Sequence, residues 1–378
     1  MSDLPVIYFR TDGNEKIATG HIMRCLAIAR ACKAQGASVR FIISDTTSLS
    51  LLTERLNTPD EFDIHCLHSD YRSLYAELPL LLPLIKQEPP FVYKNQPDSS
   101  GSLNRFPAAD CGRPWLFIDS YYAAPAYFAA LRECCRVAYL DDLRSFLCDV
   151  DLLVNYDTEA ACSYYRNASR RLLGPQYTPL RAQFMQPPYT VRPVVKNILL
   201  STGGADPYGL AQRLLQSIYA PLQADASEES WEPLRAYDYH ILTSRANRRY
   251  HALAALAKTN RHIHIHEGVS DMASLMASCD LAVSAGGTTL CELCAVGVPT
   301  ISYLMADNQR TAVETFANSG LIPCAGDILQ PSAILDRILL FLTSMSVDYE
   351  ARKKSSRSMR AFLDGKGAAR IANALLYS

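Results

Sequence analysis

In the stretch ATGHIMRCLAIA a histidine follows a glycine where a loop gives way to a helical pattern. Apolar residues from Ile22 onward recur at helical spacing, which predicts a helix over about His21 to Gln35 with Gly36 as its left-handed stop. His21 then falls in the first turn, where free backbone N–H groups and the helix dipole favour an anionic ligand and a neutral imidazole. A neutral imidazole can take a proton from water or a hydroxyl. The same residue, taken alone, also reads as a simple helix cap. Asp12, just upstream, either orients His21 or binds a ligand hydroxyl, or else caps a local turn.

Two further stretches carry phosphate chemistry. STGGADP (Ser201 to Pro207) and SAGGTTLCEL (Ser284 to Leu293) each follow a strand-like run and precede a helix-like one. Gly203 and Gly204, and then Ala285, Gly286, Gly287 and Thr288, allow a tight turn and close backbone approach, and the helix end behind supplies N–H donors. Together they predict a phosphate or diphosphate ligand. Neither stretch continues into the Gly-Lys-Ser/Thr of a Walker loop or completes G-x-G-x-x-G, which disfavours a nicotinamide cofactor. Glu292 lies on the second helix, where it accepts bonds from ribose hydroxyls or simply complements the dipole.

HIHIHEG sets His262, His264 and His266 on one face of a strand, a spacing compatible with zinc. An ordinary strand with Ile263 and Ile265 toward the core is the favoured reading. Cys291 and Cys294 form a C-x-x-C without a second pair and read as helix packing. No metal site is expected.

These residues must be positioned by alternating strands and helices, the pattern of parallel sheets built from βαβ units. In the first half VIYFR, VRFIIS, WLFIDSYY, RVAYLDDL and DLLVNY read as strands, three of them ending in polar residues: Arg10 to Asp12, Asp119 to Ser120, and Asp141 to Asp142. Open α/β sheets bind ligands at such strand ends. A proline-marked linker, Met185 to Lys196, precedes a second alternating run with helices predicted over Pro207 to Tyr219, near Asn247 to Ala257, over Met272 to Ser278 and through LCELCAVG. Gln87 to Pro114 and Ala224 to Pro233 read as inserted loops.

The chain has 378 residues, 49% hydrophobic and 20% charged, with a net charge of −1. That balance fits two globular domains and gives no reason to expect nucleic acid or an anionic membrane surface as a partner. Its 12 cysteines fall mostly inside apolar runs and read as reduced thiols. No signal peptide or membrane span is read from the chain, so a soluble cytoplasmic protein is expected.

The stretch RTDGNEKIATGHIMRCLAIA closely resembles the N-terminal signature of the UDP-2,4-diacetamido-2,4,6-trideoxy-β-L-altropyranose hydrolases of pseudaminic acid biosynthesis. IDSYY, YLDDL, LLGPQYTPLR, STGGADP, SAGGTTLCELCAVGVPT and ADNQ follow in the same order, and similar sequences include spore-coat polysaccharide proteins. The C-terminal half is similar to the nucleotide domain of GT-B glycosyltransferases, particularly the N-acetylglucosaminyl transferase of peptidoglycan synthesis. The resemblance implies an α/β GT-B fold, two Rossmann-like doubly wound domains facing across a cleft. It implies a first domain over 1–188 carrying His21, a UDP-binding domain over 194–345, and a helical segment over 346–378 that packs back on the first.

By the same resemblance His21 is the catalytic base and Asn308 lies at the sugar end. Tyr121 matches the tyrosine of the family's D-H-Y motif, with Ser120 where histidine is common. Asp12, Gly20, Arg24, Gly203, Gly204, Ala285, Gly286, Gly287, Thr288, Glu292 and Gln309 complete the expected substrate contacts. The implied reaction is attack of water on the anomeric carbon of a UDP-sugar with inversion, without metal or cofactor. A UDP-sugar-dependent glycosyltransferase of surface polysaccharide synthesis is the alternative, and a UDP-sugar binding protein without catalysis is a second rival.

Overall fold

The computed structural model describes residues 5–14, 16–17, 19–87, 112–157, 163–185, 189–219 and 231–377, apart from the side chains of residues 308, 331 and 332. Most of both inserted loops, Gln87 to Pro114 and Ala224 to Pro233, lies outside the described residues. The chain divides into two compact units, Met1–Ala182 with Lys366–Ser378, and Gln183–Gly365.

The first unit runs β1 (Val6–Thr11), α1 (Gly20–Ala34), β2 (Ser38–Ile43), α2 (Thr46–Thr53), β3 (Asp63–Cys66) and α3 (Leu78–Lys86). It continues β4 (Trp115–Asp119), α4 (Pro125–Arg132), β5 (Arg136–Leu140), β6 (Leu152–Asn155) and β7 (Arg170–Leu173). The strands form one parallel sheet in the order β3-β2-β1-β4-β5-β6-β7. Both faces are buried, as parallel strands flanked by helices require. Ile7 and Phe9 of β1 and Trp115 and Phe117 of β4 pack on the side of α1, while Tyr8, Leu116 and Ile118 pack on the side of α3 and α4.

The second unit runs β8 (Asn197–Ser201), α5 (Leu210–Tyr219), β9 (Asp238–Leu242), α6 (Tyr250–Thr259), β10 (Ile263–His266), α7 (Met272–Ser278) and β11 (Leu281–Ala285). Then come α8 (Thr288–Val296), β12 (Thr300–Leu304), α9 (Arg310–Asn318), β13 (Cys324–Asp327), α10 (Pro331–Val347) and α11 (Tyr349–Phe362). Its parallel sheet has the order β10-β9-β8-β11-β12-β13. Both sheets are therefore doubly wound, with strand order reversing between β1 and β4 in one and between β8 and β11 in the other. The crevice at such a reversal is where these sheets bind ligands.

The expected C-terminal segment over 346–378 is divided. Helix α11 stays with the second unit, its Met359 carbonyl accepting from Cys294 Sγ at 3.1 Å and its Arg360 donating to the Val296 carbonyl. Only α12 (Gly367–Leu376) joins the first unit, where Ile371, Ala372 and Leu375 share the core with Leu26 and Ala29 of α1. A break at Leu363, with left-handed Gly365 following it, separates the two helices. Among the described residues ten cysteines are free, Cys291 and Cys294 among them. Among the described residues no helix is long and apolar enough to cross a membrane.

Candidate active site

Strand parity sets the cluster around His21 in the first unit. Trp115, Phe117 and Asp119 alternate onto the α1 side of the sheet, so Asp119 ends β4 facing the first turn of α1. Strand β1 lies beside β4, Thr11 in register with Asp119. His21 Nδ1 stands 2.7 Å from Asp119 Oδ1 and 3.3 Å from the Asp119 carbonyl, and both side chains are buried. Pairing Nδ1–H with a carboxylate leaves Nε2 as the acceptor. Nε2 is buried, and among the described residues it has no hydrogen-bond partner.

One helical turn on, Arg24 grips the same carboxylate as a fork, Nε to Oδ2 at 2.5 Å and Nη2 to Oδ1 at 2.6 Å. Its Nη1 donates to Asp142 Oδ2 and to the Tyr156 hydroxyl, each at 2.7 Å. Burial alone would raise the Asp119 carboxyl, but the charges of Arg24 and then His21 hold it well below the usual carboxylate range. Tyr121 stands edge-on to the imidazole, ring centroids 4.4 Å apart, with its phenol pushed up by burial and then by Asp142. Gly20 opens α1, and a Cβ there would meet nothing within 4 Å. The helix has no side-chain cap and no acidic residue in its first turn.

Asp12 is placed differently from expectation. Arg10 alternates with Tyr8 onto the opposite side of the sheet, and Asp12 turns to it there. Its carboxylate accepts from Arg10 Nη1 at 2.5 Å, the Ser44 amide at 2.7 Å and the Ser44 hydroxyl at 2.9 Å. Arg10, fully buried, also binds both oxygens of buried Glu77 at 2.8 Å, and Tyr127 donates to Glu77. Asp119, not Asp12, orients the histidine. Arg24, expected to contact substrate, directs its guanidinium into the protein.

In the second unit the two glycine turns leave adjacent strands, Ser201 lying in register with Ser284. They are not alike. After Gly203 and Gly204 the chain turns through left-handed Asp206, and α5 begins only at Leu210, later than the predicted Pro207. The Asp206 carboxylate already accepts from the Leu210 and Ala211 amides, so part of that helix end is occupied. Helix α8, by contrast, starts directly after Gly287 with no side-chain cap and no acidic first turn. Gln309 lies against this turn, its Cβ 3.1 Å from where a Cβ on Gly286 would sit, and its Oε1 accepts from the Met305 amide. Met305 in turn lies against Gly203. The structure thus gathers Gly203, Gly286, Gly287 and Gln309 at the reversal of the second sheet. Ala285 ends β11, Thr288 opens α8 and Glu292 is half-buried on α8. Asn308 belongs to the same turn as Gln309, its side chain outside the described residues.

The histidines leading into and along β10 form a row instead of a converging set. His262 and His264 both bond Asp238 Oδ1, at 3.2 and 3.0 Å, while His266 Nε2 pairs with His240 Nδ1 at 2.9 Å. Among the described residues no cluster of His, Cys, Asp or Glu is arranged to hold a metal ion.

Residues 220–325 match the Glycosyltransferase family 28 C-terminal domain. The chain is 26% identical over 211 residues to the spore coat polysaccharide biosynthesis protein SpsG of Bacillus subtilis (strain 168). That alignment covers 55% of this chain and 58% of the relative, less than two thirds of its length. Among solved structures, Acinetobacter baumannii MurG is similar with a TM-score of 0.61 at 13% identity, over 98% of this chain and 99% of that one. Phytolacca americana UGT2, complexed with UDP-2fluoro-glucose and pterostilbene, is similar with a TM-score of 0.58 at 8% identity, over 99% of this chain and 95% of that one. The chain therefore has the glycosyltransferase-like GT-B fold of two Rossmann-like, parallel-sheet domains.

Proposed function

We propose that this chain is a UDP-sugar hydrolase in which His21 deprotonates water for attack on the anomeric carbon with inversion. The observation that carries the reading is the setting of the imidazole: Nδ1 is held by Asp119, and Nε2 has no partner among the described residues. A buried acceptor nitrogen, oriented by a carboxylate at a strand reversal, suits a general base. Because Nε2 is covered, the nucleophile reaches it after a local shift, and half-exposed Tyr121 beside the ring is the side chain suited to make it.

The diphosphate leaves as an anion and needs charge stabilisation more than a proton. The uncapped start of α8 behind Gly286 and Gly287 would supply it, with Gln309 beside it. The substrate proposed is a UDP-linked 2,4-diacetamido-2,4,6-trideoxy sugar, on the strength of the N-terminal motif's resemblance. Transfer to an acceptor hydroxyl would use the same base, and the family 28 match supports that second reading equally. Incubation with a panel of UDP-linked di-N-acetyl sugars, without acceptor, separates the two. Stoichiometric UDP and free sugar support hydrolysis. UDP release only after an acceptor is added supports transfer.

A further inference from the structure

We propose that Arg24 is a positioning residue for the His21 base: its guanidinium fork fixes the Asp119 carboxylate toward Nδ1. The inference rests on the general-base reading above, for hydrolysis or transfer alike.

A carboxylate held by one hydrogen bond can turn about its own side chain, and an imidazole bonded to it turns with it. Here the carboxylate is gripped at both oxygens. Asp119 Oδ1 receives both His21 Nδ1 at 2.7 Å and Arg24 Nη2 at 2.6 Å, and Oδ2 receives Arg24 Nε at 2.5 Å. The bidentate pair fixes the plane of the carboxylate and so the direction in which Nδ1–H must point.

The helix makes this arrangement possible, since His21 and Arg24 are three residues apart and share one face of α1. Tyr121 after β4 stands edge-on to the imidazole, and the Cys25 thiol of α1 lies 3.7 Å from Asp119 Oδ2. Asp142 after β5 and Tyr156 after β6 face Arg24, and they hold its remaining nitrogen. A planar fork is needed for this task, and a lysine ammonium would supply charge without it.

The test reads the free protein first, so it does not depend on turnover. The Nδ1–H proton of His21, held by a fixed carboxylate, is followed as a slowly exchanging downfield NMR resonance, assigned by its loss in His21→Gln, in wild type, Arg24→Met and Arg24→Lys. In Arg24→Met, with the carboxylate no longer gripped, that resonance is expected to be lost to exchange. In Arg24→Lys kcat falls about tenfold to a hundredfold with KM nearly constant. An unchanged resonance in folded Arg24→Met overturns the proposal. If Arg24→Met fails to fold, Arg24→Lys decides: a loss carried by KM with kcat intact overturns it, and marks Arg24 as a substrate ligand. Absence of any turnover together with loss of the resonance in Arg24→Met leaves this inference standing and removes the proposed substrate instead.

Discussion

His21 Nδ1 and Asp119 Oδ1 are 2.7 Å apart across 98 residues of sequence, joined because the first turn of α1 and the end of β4 meet where the first sheet reverses its strand order. The contact fixes the imidazole tautomer and leaves one nitrogen for chemistry.

That pairing makes Asp119→Asn the most informative substitution outside the histidine itself. An amide in place of the carboxylate can present its NH2 to Nδ1 and favour the wrong tautomer. The expected result is a fall in kcat of about 10²- to 10⁴-fold with a small change in KM, checked by steady-state kinetics. A KM effect alone would assign Asp119 to binding.

The Arg10–Asp12–Glu77 network is predicted to serve stability and not binding. Removing one partner strands a fully buried charge, so Glu77→Ala should destabilise the protein by about 3–5 kcal/mol in denaturant unfolding. Asp12→Asn should likewise lower the melting temperature while leaving KM in the folded fraction near wild type. A normal melting temperature with a raised KM would return Asp12 to the substrate.

Two glycines should behave in opposite ways. At Gly286 a Cβ would stand 2.2 Å from Val313 Cγ2, so Gly286→Ala forces α9 away from the turn, a cost of about 1–3 kcal/mol. At Gly20 the space is empty and alanine is the better helix former, so Gly20→Ala should keep or raise the melting temperature. If that space is left for the sugar, Gly20→Ala raises KM. Thermal melts paired with kinetics check both.

The histidine row gives a pH dependence with a definite sign. His240 is pushed down to about 4 by burial, then by His266 and His264 beside it. Between about pH 6.5 and 4 the unfolded chain binds a proton there that the native chain does not, so stability falls as pH drops through that window. His266 is shifted in the same direction and adds to the effect. In His240→Gln the decline in melting temperature from pH 7 to pH 4.5 should be shallower than in wild type. A parallel decline would show that the row does not titrate with folding.

Local pattern carried far in this chain where one element decides its own form. The helix expected from His21 to Gln35 is α1, Gly20–Ala34, with Gly36 left-handed beyond it, and Met272–Ser278 is α7. Both glycine turns were legible as strand-to-helix turns. What was not legible depends on neighbours in space. Asp12 is closer to His21 in sequence, but period-two alternation puts it on the other side of the sheet, with Arg10. Asp119 was visible as a polar strand end, and its parity with Trp115 and Phe117 was readable too. That β4 lies beside β1, however, is a property of the sheet order. The delayed start of α5 turns on Asp206 reaching forward to the Leu210 and Ala211 amides, a bond that apolar spacing does not record. The division of the C-terminal segment between units likewise rests on packing partners, α8 for α11 and α1 for α12.

The central claim, that His21 is the base for inverting cleavage of a UDP-sugar, is tested most directly by following the anomeric signal of the product by NMR during acceptor-free turnover, for wild type and His21→Ala side by side. The account predicts an initial product of inverted configuration and a rate lowered about 10²- to 10⁴-fold in His21→Ala. A product of retained configuration, or near-normal turnover by His21→Ala, would contradict it.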